Sequence, residues 1–265
     1  MDILEEIVAN KRKEVQMQKE ACPPSDLYRQ VECILAANGR STLSMSKSLT
    51  ESKSGIIAEF KRRSPSKGWI KEEGTAETIP QEYCRNGAAA ISILTDERYF
   101  GGRMEFICTA RPLVSCPILR KDFIVDEYQL FQAKATGADA VLLIAADLTP
   151  GECRTLARTA RDLQLETLLE IHSEAELGYI GENIDMVGVN NRHLGSFHTD
   201  VAASFLLAPL LPDELPLVSE SGIRDVDTIK LLRQAGFRGF LIGETFMRTA
   251  SPGETLRQWV EMIEA

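Results

Sequence analysis

From Ile56 onward, short apolar runs alternate with longer amphipathic segments, and this rhythm constrains the fold more than any other feature of the chain. The runs are IIAEF, AAISIL, PILRK, AVLLIA, ETLLEI, MVGVN, PLVSE and GFLIG, beginning near residues 56, 89, 117, 140, 166, 186, 216 and 239. Near-continuous apolar runs mark strands buried on both faces, and alternation with helices implies parallel strands joined by right-handed crossovers. The intervening segments carry helix signals. Thr149-Pro150-Gly151-Glu152 and Ser173-Glu174-Ala175-Glu176 have the capping-box pattern, while Gly87 and Gly137 supply stops. Pro80 is awkward: the helix after Thr75 either starts nearer Thr78 or has a distorted first turn. Eight β/α units in residues 56–265 predict an α/β fold, a single closed (β/α)8 barrel. An open doubly wound sheet is the alternative; against it, no G-x-G-x-x-G follows the first strand, and polar residues collect at the C-terminal ends of many strands.

Residues 1–55 read as a helical extension and loop packed on that barrel. Asp2 is placed to cap a first helix in which Ile3, Leu4, Ile7, Val8 and Lys11 recur at helical spacing. A second helix is expected from about Asp26 to Asn38, ending at Gly39. The serine-rich stretch Ser41 to Gly55 has no clear period and predicts a loop. Because the amphipathic first helix has an apolar face to bury, residues 1–40 are expected to pack over the rim of the barrel and shield it from water.

The polar ends of the strands suggest chemistry. Period-two alternation along the first strand puts Ile57, Glu59 and Lys61 on one face, with Ala58 and Phe60 on the other. If the apolar pair meets the helices, Glu59 and Lys61 enter the barrel mouth. Lys121 ends the third strand, Glu170 the fifth and Glu220 the seventh, while Asn190 and Arg192 follow the sixth. A single such pair would read as a structural ion pair. Three cations and three carboxylates at one rim cost several kcal/mol per buried ion unless they are paired or used, and a catalytic centre supplies the use. Ser221-Gly222 and Gly243-Glu244 follow the last two strands, where barrels often bind phosphate through backbone N–H groups and a short helix N-terminus.

Charge and composition narrow the partners. Thirty Lys plus Arg against thirty-nine Asp plus Glu leave a net charge of −9, so an anionic ligand needs a local positive site. That balance, with a buried strand immediately before it, makes KRRSPSKG (Lys61 to Gly68) an active-site loop rather than a nucleic-acid or nuclear-targeting patch. The longest apolar stretch, Ala140 to Ala146, is far too short to span a bilayer, and the N-terminus lacks the pattern of a secretory signal, so no membrane contact and a cytoplasmic location are expected. The six cysteines form no C-x-x-C pair and read as reduced structural thiols; His172, His193 and His198 form no ligand cluster and read as loop residues, so no metal is expected. Trp69 and Trp259 read as packing residues.

The segments IIAEFKRRSPSKG, AAAISILTDERYFGG, PILRKDFIVDEYQL, LLEIH, GVNNRHL, VSESGI and FLIGETFM, in order from Ile56 to about Met247, resemble the signatures of the indole-3-glycerol phosphate synthase family. The resemblance implies a TIM barrel and a carboxy-lyase of tryptophan biosynthesis that works without a cofactor. Its reaction converts 1-(2-carboxyphenylamino)-1-deoxyribulose 5-phosphate to indole-3-glycerol phosphate, carbon dioxide and water. It implies Lys121 as the general acid at the ribulose carbonyl, Glu170 in the dehydration, and Glu59 assisting proton transfer and holding Lys121. Asn190 and Glu220 would position substrate hydroxyls and catalytic groups. Lys61 and backbone groups of Ser221, Gly222, Gly243 and Glu244 would hold the phosphate. Arg192 and Ser64 would face the anthranilate carboxylate, Phe100 and Phe123 its ring, and Leu241 would complete the substrate pocket. A carboxylate at Glu244 suits such a site only if its side chain turns away. The resemblance further implies a small-molecule substrate and a monomer that can associate with other tryptophan-pathway enzymes. A phosphoribosyl isomerase and a catalytically silent sugar-phosphate-binding barrel are the alternatives.

Overall fold

The computed structural model describes residues 3–37, 42–192 and 198–265; the Asp2 cap, the end of the second helix at Asn38–Gly39, and His193 lie outside the described residues. Eight parallel strands form a closed barrel: β1 (Ile56–Phe60), β2 (Ala90–Leu94), β3 (Ile118–Lys121), β4 (Ala140–Ile144), β5 (Glu166–Ile171), β6 (Met186–Asn190), β7 (Leu217–Glu220) and β8 (Phe237–Ile242). β8 returns to β1 with Ile57 opposite Leu241, so no strand is left with a free edge and the open-sheet alternative falls. Seven of the eight apolar runs contain a whole strand, and the eighth, GFLIG, falls on a strand that starts two residues earlier, at Phe237.

Alternation sorts the side chains as the sequence pattern requires. Ile57, Leu119, Leu142, Leu168, Met186, Val218 and Leu241 fill the barrel interior. Ile56, Ala58 and Phe60 point outward into the larger core shared with the helices. Those helices, after the extension, are α4 (Ile79–Arg85), α5 (Glu97–Phe100), α6 (Glu105–Ala110), α7 (Glu127–Thr136), α8 (Pro150–Asp162), α9 (Ala202–Leu207), α10 (Val226–Gln234), α11 (Glu244–Met247) and α12 (Pro252–Glu264). Pro80 is the second residue of α4, where its missing N–H has no helical partner to lose, so the helix starts after Thr78. The Thr149–Glu152 capping box opens α8. The Ser173–Glu176 box instead opens a 3-10 stretch, Glu174–Tyr179.

The extension contains α1 (Ile3–Ala21), α2 (Pro24–Ala36) and α3 (Met45–Glu51). The third corrects the loop expected over Ser41 to Gly55. Its apolar pattern is only one i,i+4 pair, Met45 and Leu49, but both side chains are buried in the barrel interior and close its floor. The serines that hide the period instead supply its start. Ser44 accepts from the Lys47 N–H, and the Glu166 carboxylate accepts from Ser44 Oγ (2.7 Å), Met45 N (2.6 Å), Ser46 N (2.9 Å) and Ser46 Oγ (2.7 Å). An anion there satisfies N–H groups that a helix's first turn leaves unpaired.

α1 lies against the barrel through charge as well as apolar surface. Lys11 is 1 % exposed, and its ammonium lies 3.0 Å from each of Asp96 Oδ2, Asp122 Oδ1 and Glu14 Oε2. Asp122 Oδ2 in turn meets Arg120 Nη2 at 2.9 Å and Thr95 Oγ1 at 2.7 Å. Further along α1, Lys19 pairs with Asp126 at 2.7 Å, and Tyr99 donates to Glu6 at 2.9 Å. α2 stacks Tyr28 on Phe131 of α7. Within KRRSPSKGW a small hairpin pairs Arg63–Ser64 with Gly68–Trp69. Trp69 is 46 % exposed beneath the guanidinium groups of Arg62 and Arg63, which corrects its reading as a packing residue; Trp259 does pack, edge-on to Phe246.

Candidate active site

A cavity of about 940 Å³ opens at the C-terminal ends of the strands, and all fifteen residues singled out in the sequence line it. Its base is a cluster of charges resting on the apolar interior. Lys121, the last residue of β3, holds its ammonium 3.1 Å from Glu170 Oε2 and 3.5 Å from Glu220 Oε2. Asn190, ending β6, donates to Glu170 Oε1 at 3.0 Å. On β1, Glu59 Oε1 lies 2.5 Å from Lys61 Nζ. The alternation that sends Ile57 into the core thus sends Glu59 and Lys61 into the mouth. The cluster holds two cations and three carboxylates, each carboxylate buried.

Electrostatics separates their roles. Burial works against the charge on Lys121, but Glu170, Glu220 and Glu59 outweigh it and raise the ammonium's pKa, so it is charged at neutral pH. Glu170 also loses solvation, yet Lys121, His172 and Asn190 hold its carboxyl below the usual range. Glu220 behaves in the opposite way. Burial, reinforced by the Glu170 charge and only partly offset by Lys121, pushes it up to about 8. Two neighbouring carboxyl groups therefore differ in state near pH 7, an ionised base and a protonated acid on either side of one ammonium.

The walls of the cavity differ. Phe100 and Phe123 form an aromatic wall, with ring centroids 6.0 Å apart. Beside it, Ser64 presents a buried hydroxyl with no hydrogen-bond partner among the described residues, and Arg192 donates to Ser66 Oγ at 3.0 Å. Across the mouth, Ser221-Gly222 and Gly243-Glu244 contribute backbone, and Ser221 and Gly222 both have positive φ, at 67° and 81°. The Glu244 carboxylate pairs with Arg248 Nε at 2.9 Å, one turn along.

Two glycines make room for catalytic side chains. A Cβ on Gly243 would meet Glu59 Oε1 at 2.3 Å, so the bare backbone there accommodates Glu59 as well as any ligand. Gly188, inside β6, was not singled out in the sequence; a Cβ there would lie 2.2 Å from Glu220 Oε1. Other contributors were also missed. His172 Nε2 is 3.4 Å from Glu170 Oε1, and period two from Glu170 was the available signal that both share a face. His198, on a loop as its sequence context suggested, and Arg248 also line the cavity. Asp147, just after β4, carries a buried carboxyl raised to about 8 by burial and by the Glu170 charge, against Lys121 and Arg12. Ile3, Leu4 and Ile7 of α1 form part of the cavity wall, which places the extension over the rim. Among the described residues no group of His, Cys, Asp and Glu is arranged to hold a metal ion.

Comparison with known proteins agrees with this geometry. The chain is similar to solved barrels at low identity. One is tryptophan synthase subunit alpha from Legionella pneumophila (TM-score 0.58, 13% identity, 90% of this chain and 98% of that chain). Another is thiamine phosphate pyrophosphorylase from Pyrococcus furiosus (TM-score 0.60, 16% identity, 81% and 98%). These share the fold alone. Sequence likeness is far more specific. Indole-3-glycerol phosphate synthase from Bacteroides thetaiotaomicron is 59% identical over 263 residues, 99% of each chain. The enzyme of that name from Acidithiobacillus ferrooxidans is 41% identical over 258 residues, 97% of each. The profile described as indole-3-glycerol phosphate synthase matches residues 4–259. The chain therefore belongs to the indole-3-glycerol phosphate synthase family.

Proposed function

We propose that this cavity carries out the family's ring closure, decarboxylation and dehydration with Lys121 as its acid. The observation that carries the assignment is the Lys121 ammonium, held between Glu170 and Glu220 at the base of a cavity with one aromatic wall. The substrate is 1-(2-carboxyphenylamino)-1-deoxyribulose 5-phosphate, and the reaction has to turn a ketone oxygen into water. Protonation of that oxygen as the aromatic carbon attacks needs a donor inside the cavity, and the neighbouring Glu170 charge, with Glu59 beyond it, keeps the Lys121 proton in place until it is needed. Loss of carbon dioxide from the attacking ring carbon, which bore the carboxylate, follows. Removal of the hydroxyl as water then restores the indole, with Glu170 as the ionised base and Glu220, protonated near neutrality, available to donate. Asn190 holds Glu170, while Glu59 assists proton transfer and is held by Lys61.

The substrate's two ends match the two walls. Phe100 and Phe123 receive the anthranilate ring, with Arg192 and Ser64 toward its carboxylate; the Ser64 hydroxyl, unpaired among the described residues, supports that assignment. Lys61 and the backbone N–H groups of Ser221, Gly222, Gly243 and Glu244 receive the phosphate, and Leu241 packs below the chain that joins the two ends. Glu244 turned toward Arg248 supports this placement, because its charge is met elsewhere. Residues 1–55 serve as wall and floor to the barrel of residues 56–265. The biosynthetic family supports a cytoplasmic location; a monomer able to associate with other tryptophan-pathway enzymes is part of the same proposal. The test is single-turnover and steady-state conversion followed by indole fluorescence. Lys121→Met should lose at least about a hundredfold in kcat with circular dichroism unchanged. A Lys121→Met protein within tenfold of the parent would refute the assignment.

A further inference from the structure

The reaction consumes a proton that has to come from solvent, and one histidine links the base of the cavity to a carboxylate nearer the surface. Two protons go onto the ketone oxygen before it leaves as water, and one comes off the methylene carbon next to nitrogen. Each turnover therefore takes up one proton, the counterpart of a carboxylate that departs as neutral carbon dioxide. His172 directly follows β5 and is not among the residues that line the cavity. Its Nε2 lies 3.4 Å from Glu170 Oε1, and its Nδ1 lies 3.9 Å from Glu176 Oε2. The outer carboxylate is fixed in place: Glu176 Oε2 accepts from the backbone N–H groups of His172 (2.5 Å) and Ser173 (3.2 Å). Beside it Ser173, Glu174 and Ala175 are exposed. Both ring nitrogens are buried without a hydrogen-bond partner among the described residues, a condition that calls for an explanation. On the inner side, Glu170 Oε2 is 3.1 Å from the Lys121 ammonium, which is 3.5 Å from Glu220 Oε2.

We propose that His172 carries the consumed proton from the Glu176 side to Glu170, and so reloads the acid groups of the cavity between turnovers. The inference rests on the roles given above to Lys121, Glu170 and Glu220. In one turnover Lys121 protonates the ketone oxygen, Glu220 protonates the leaving hydroxyl, and Glu170 takes the proton from the methylene carbon. Glu170 returns that proton to Lys121, which leaves Glu220 one proton short. A proton from water then reaches Nδ1 by way of Glu176; at Nε2 an N–H bond breaks, and an O–H bond forms on Glu170. Lys121 passes a proton to Glu220 and takes the one on Glu170 in its place. The imidazole is left as its Nδ1–H tautomer, and proton exchange with water restores the other. No group is oxidised or reduced. Contacts of this length at a proton-transfer site commonly tighten into hydrogen bonds once substrate is bound. His172 touches no substrate and acts only through Glu170.

His172→Gln, assayed near neutral pH in dilute buffer by indole fluorescence, tests the relay. An enzyme already holding its protons has what one reaction needs, so the single-turnover rate should stay within about twofold of the parent. Steady-state kcat should fall about tenfold, with KM within about twofold, because reloading now limits each cycle. In the smaller His172→Ala, imidazole added at constant pH and ionic strength should return kcat to within about threefold of the parent. A histidine that only held Glu170 in position would slow the first turnover as much as the later ones, and that outcome overturns the proposal. So does a steady-state kcat within about twofold of the parent in dilute buffer, or a loss in His172→Ala that imidazole leaves unchanged. The Lys121→Met test stands apart. Parent-like His172→Gln beside an inactive Lys121→Met overturns the relay alone, whereas an active Lys121→Met removes the roles on which the relay rests.

Discussion

Replacing Lys11 by Met tests how far the first helix holds the reacting lysine. Met preserves most of the apolar stem and removes the ammonium from between Asp96 and Asp122, which are 0 % and 3 % exposed. Asp122 keeps Arg120 and Thr95, but Lys11 is the cation 3.0 Å from Asp96 Oδ2, whose other oxygen accepts the Tyr99 N–H that caps α5. Breaking a buried ion pair from one side costs about 3–5 kcal/mol, because a charge is left without compensation. Urea unfolding at pH 7 should show a loss of that size. Lys11→Met with Asp96→Asn should recover at least half of it, since the orphaned charge is gone. The loss should shrink as the pH falls. Burial raises the Asp122 carboxyl, but Lys11 and Arg120 outweigh it and hold it below its ordinary value. Its stabilising contribution is therefore present above the unfolded value near 4 and disappears as the pH falls through the lower folded value. Without Lys11 the Asp122 carboxyl takes up its proton at higher pH, and the two proteins converge in acid. Because Lys121 sits between Arg120 and Asp122, kcat should fall as well. A loss under about 1 kcal/mol at pH 7, or no recovery in the double variant, would refute the reasoning.

Gly188→Ala places a Cβ against Glu220 and should lower kcat at least tenfold, with a stability cost of about 1–3 kcal/mol; unchanged kcat would mean that Glu220 can move without consequence. Asp147, facing Glu170, Lys121, Arg12 and Glu176, is protonated in the fold up to about pH 8 while the unfolded chain ionises near pH 4. Folding stability should therefore fall between those values by at most about 1.4 kcal/mol per pH unit, and Asp147→Asn should flatten that slope in thermal scans from pH 4 to 8. Glu166→Gln retains the shape of the acceptor but removes its charge from the start of α3, and should cost about 2 kcal/mol in urea unfolding with kcat within twofold of the parent, since the floor lies at the far end from the chemistry.

The barrel was legible because its strands are buried on both faces: IIAEF or AVLLI can be read without knowing any partner, and alternation places Glu59 and Lys61 inside on the same rule. α3 was not, because only Met45 and Leu49 face the core and its remaining cohesion comes from Glu166, far away in sequence. The charged set at the rim was legible from strand ends alone. Gly188 and Asp147 were not, since a missing Cβ acquires meaning only beside Glu220, and a carboxyl's burial only beneath a neighbouring helix. Lys11 read as one of the positions whose spacing defines the apolar face of the first helix; nothing in the local sequence marks the two aspartates that receive it.

The first helix is synthesised well before the groups that fasten it (Asp96, Tyr99, Asp122, Asp126), which belong to later segments of the chain. At roughly 5–20 residues per second, α1 leaves the ribosome on the order of ten seconds before its last anchor does. In that interval Ile7, Lys11 and Val15 have no surface to bury against. Docking cannot complete until β2 and β3 stand side by side, because Asp96 and Asp122 meet around Lys11 only then. The N-terminus thus works as a latch on assembly, and a chain interrupted before Asp122 keeps that latch open.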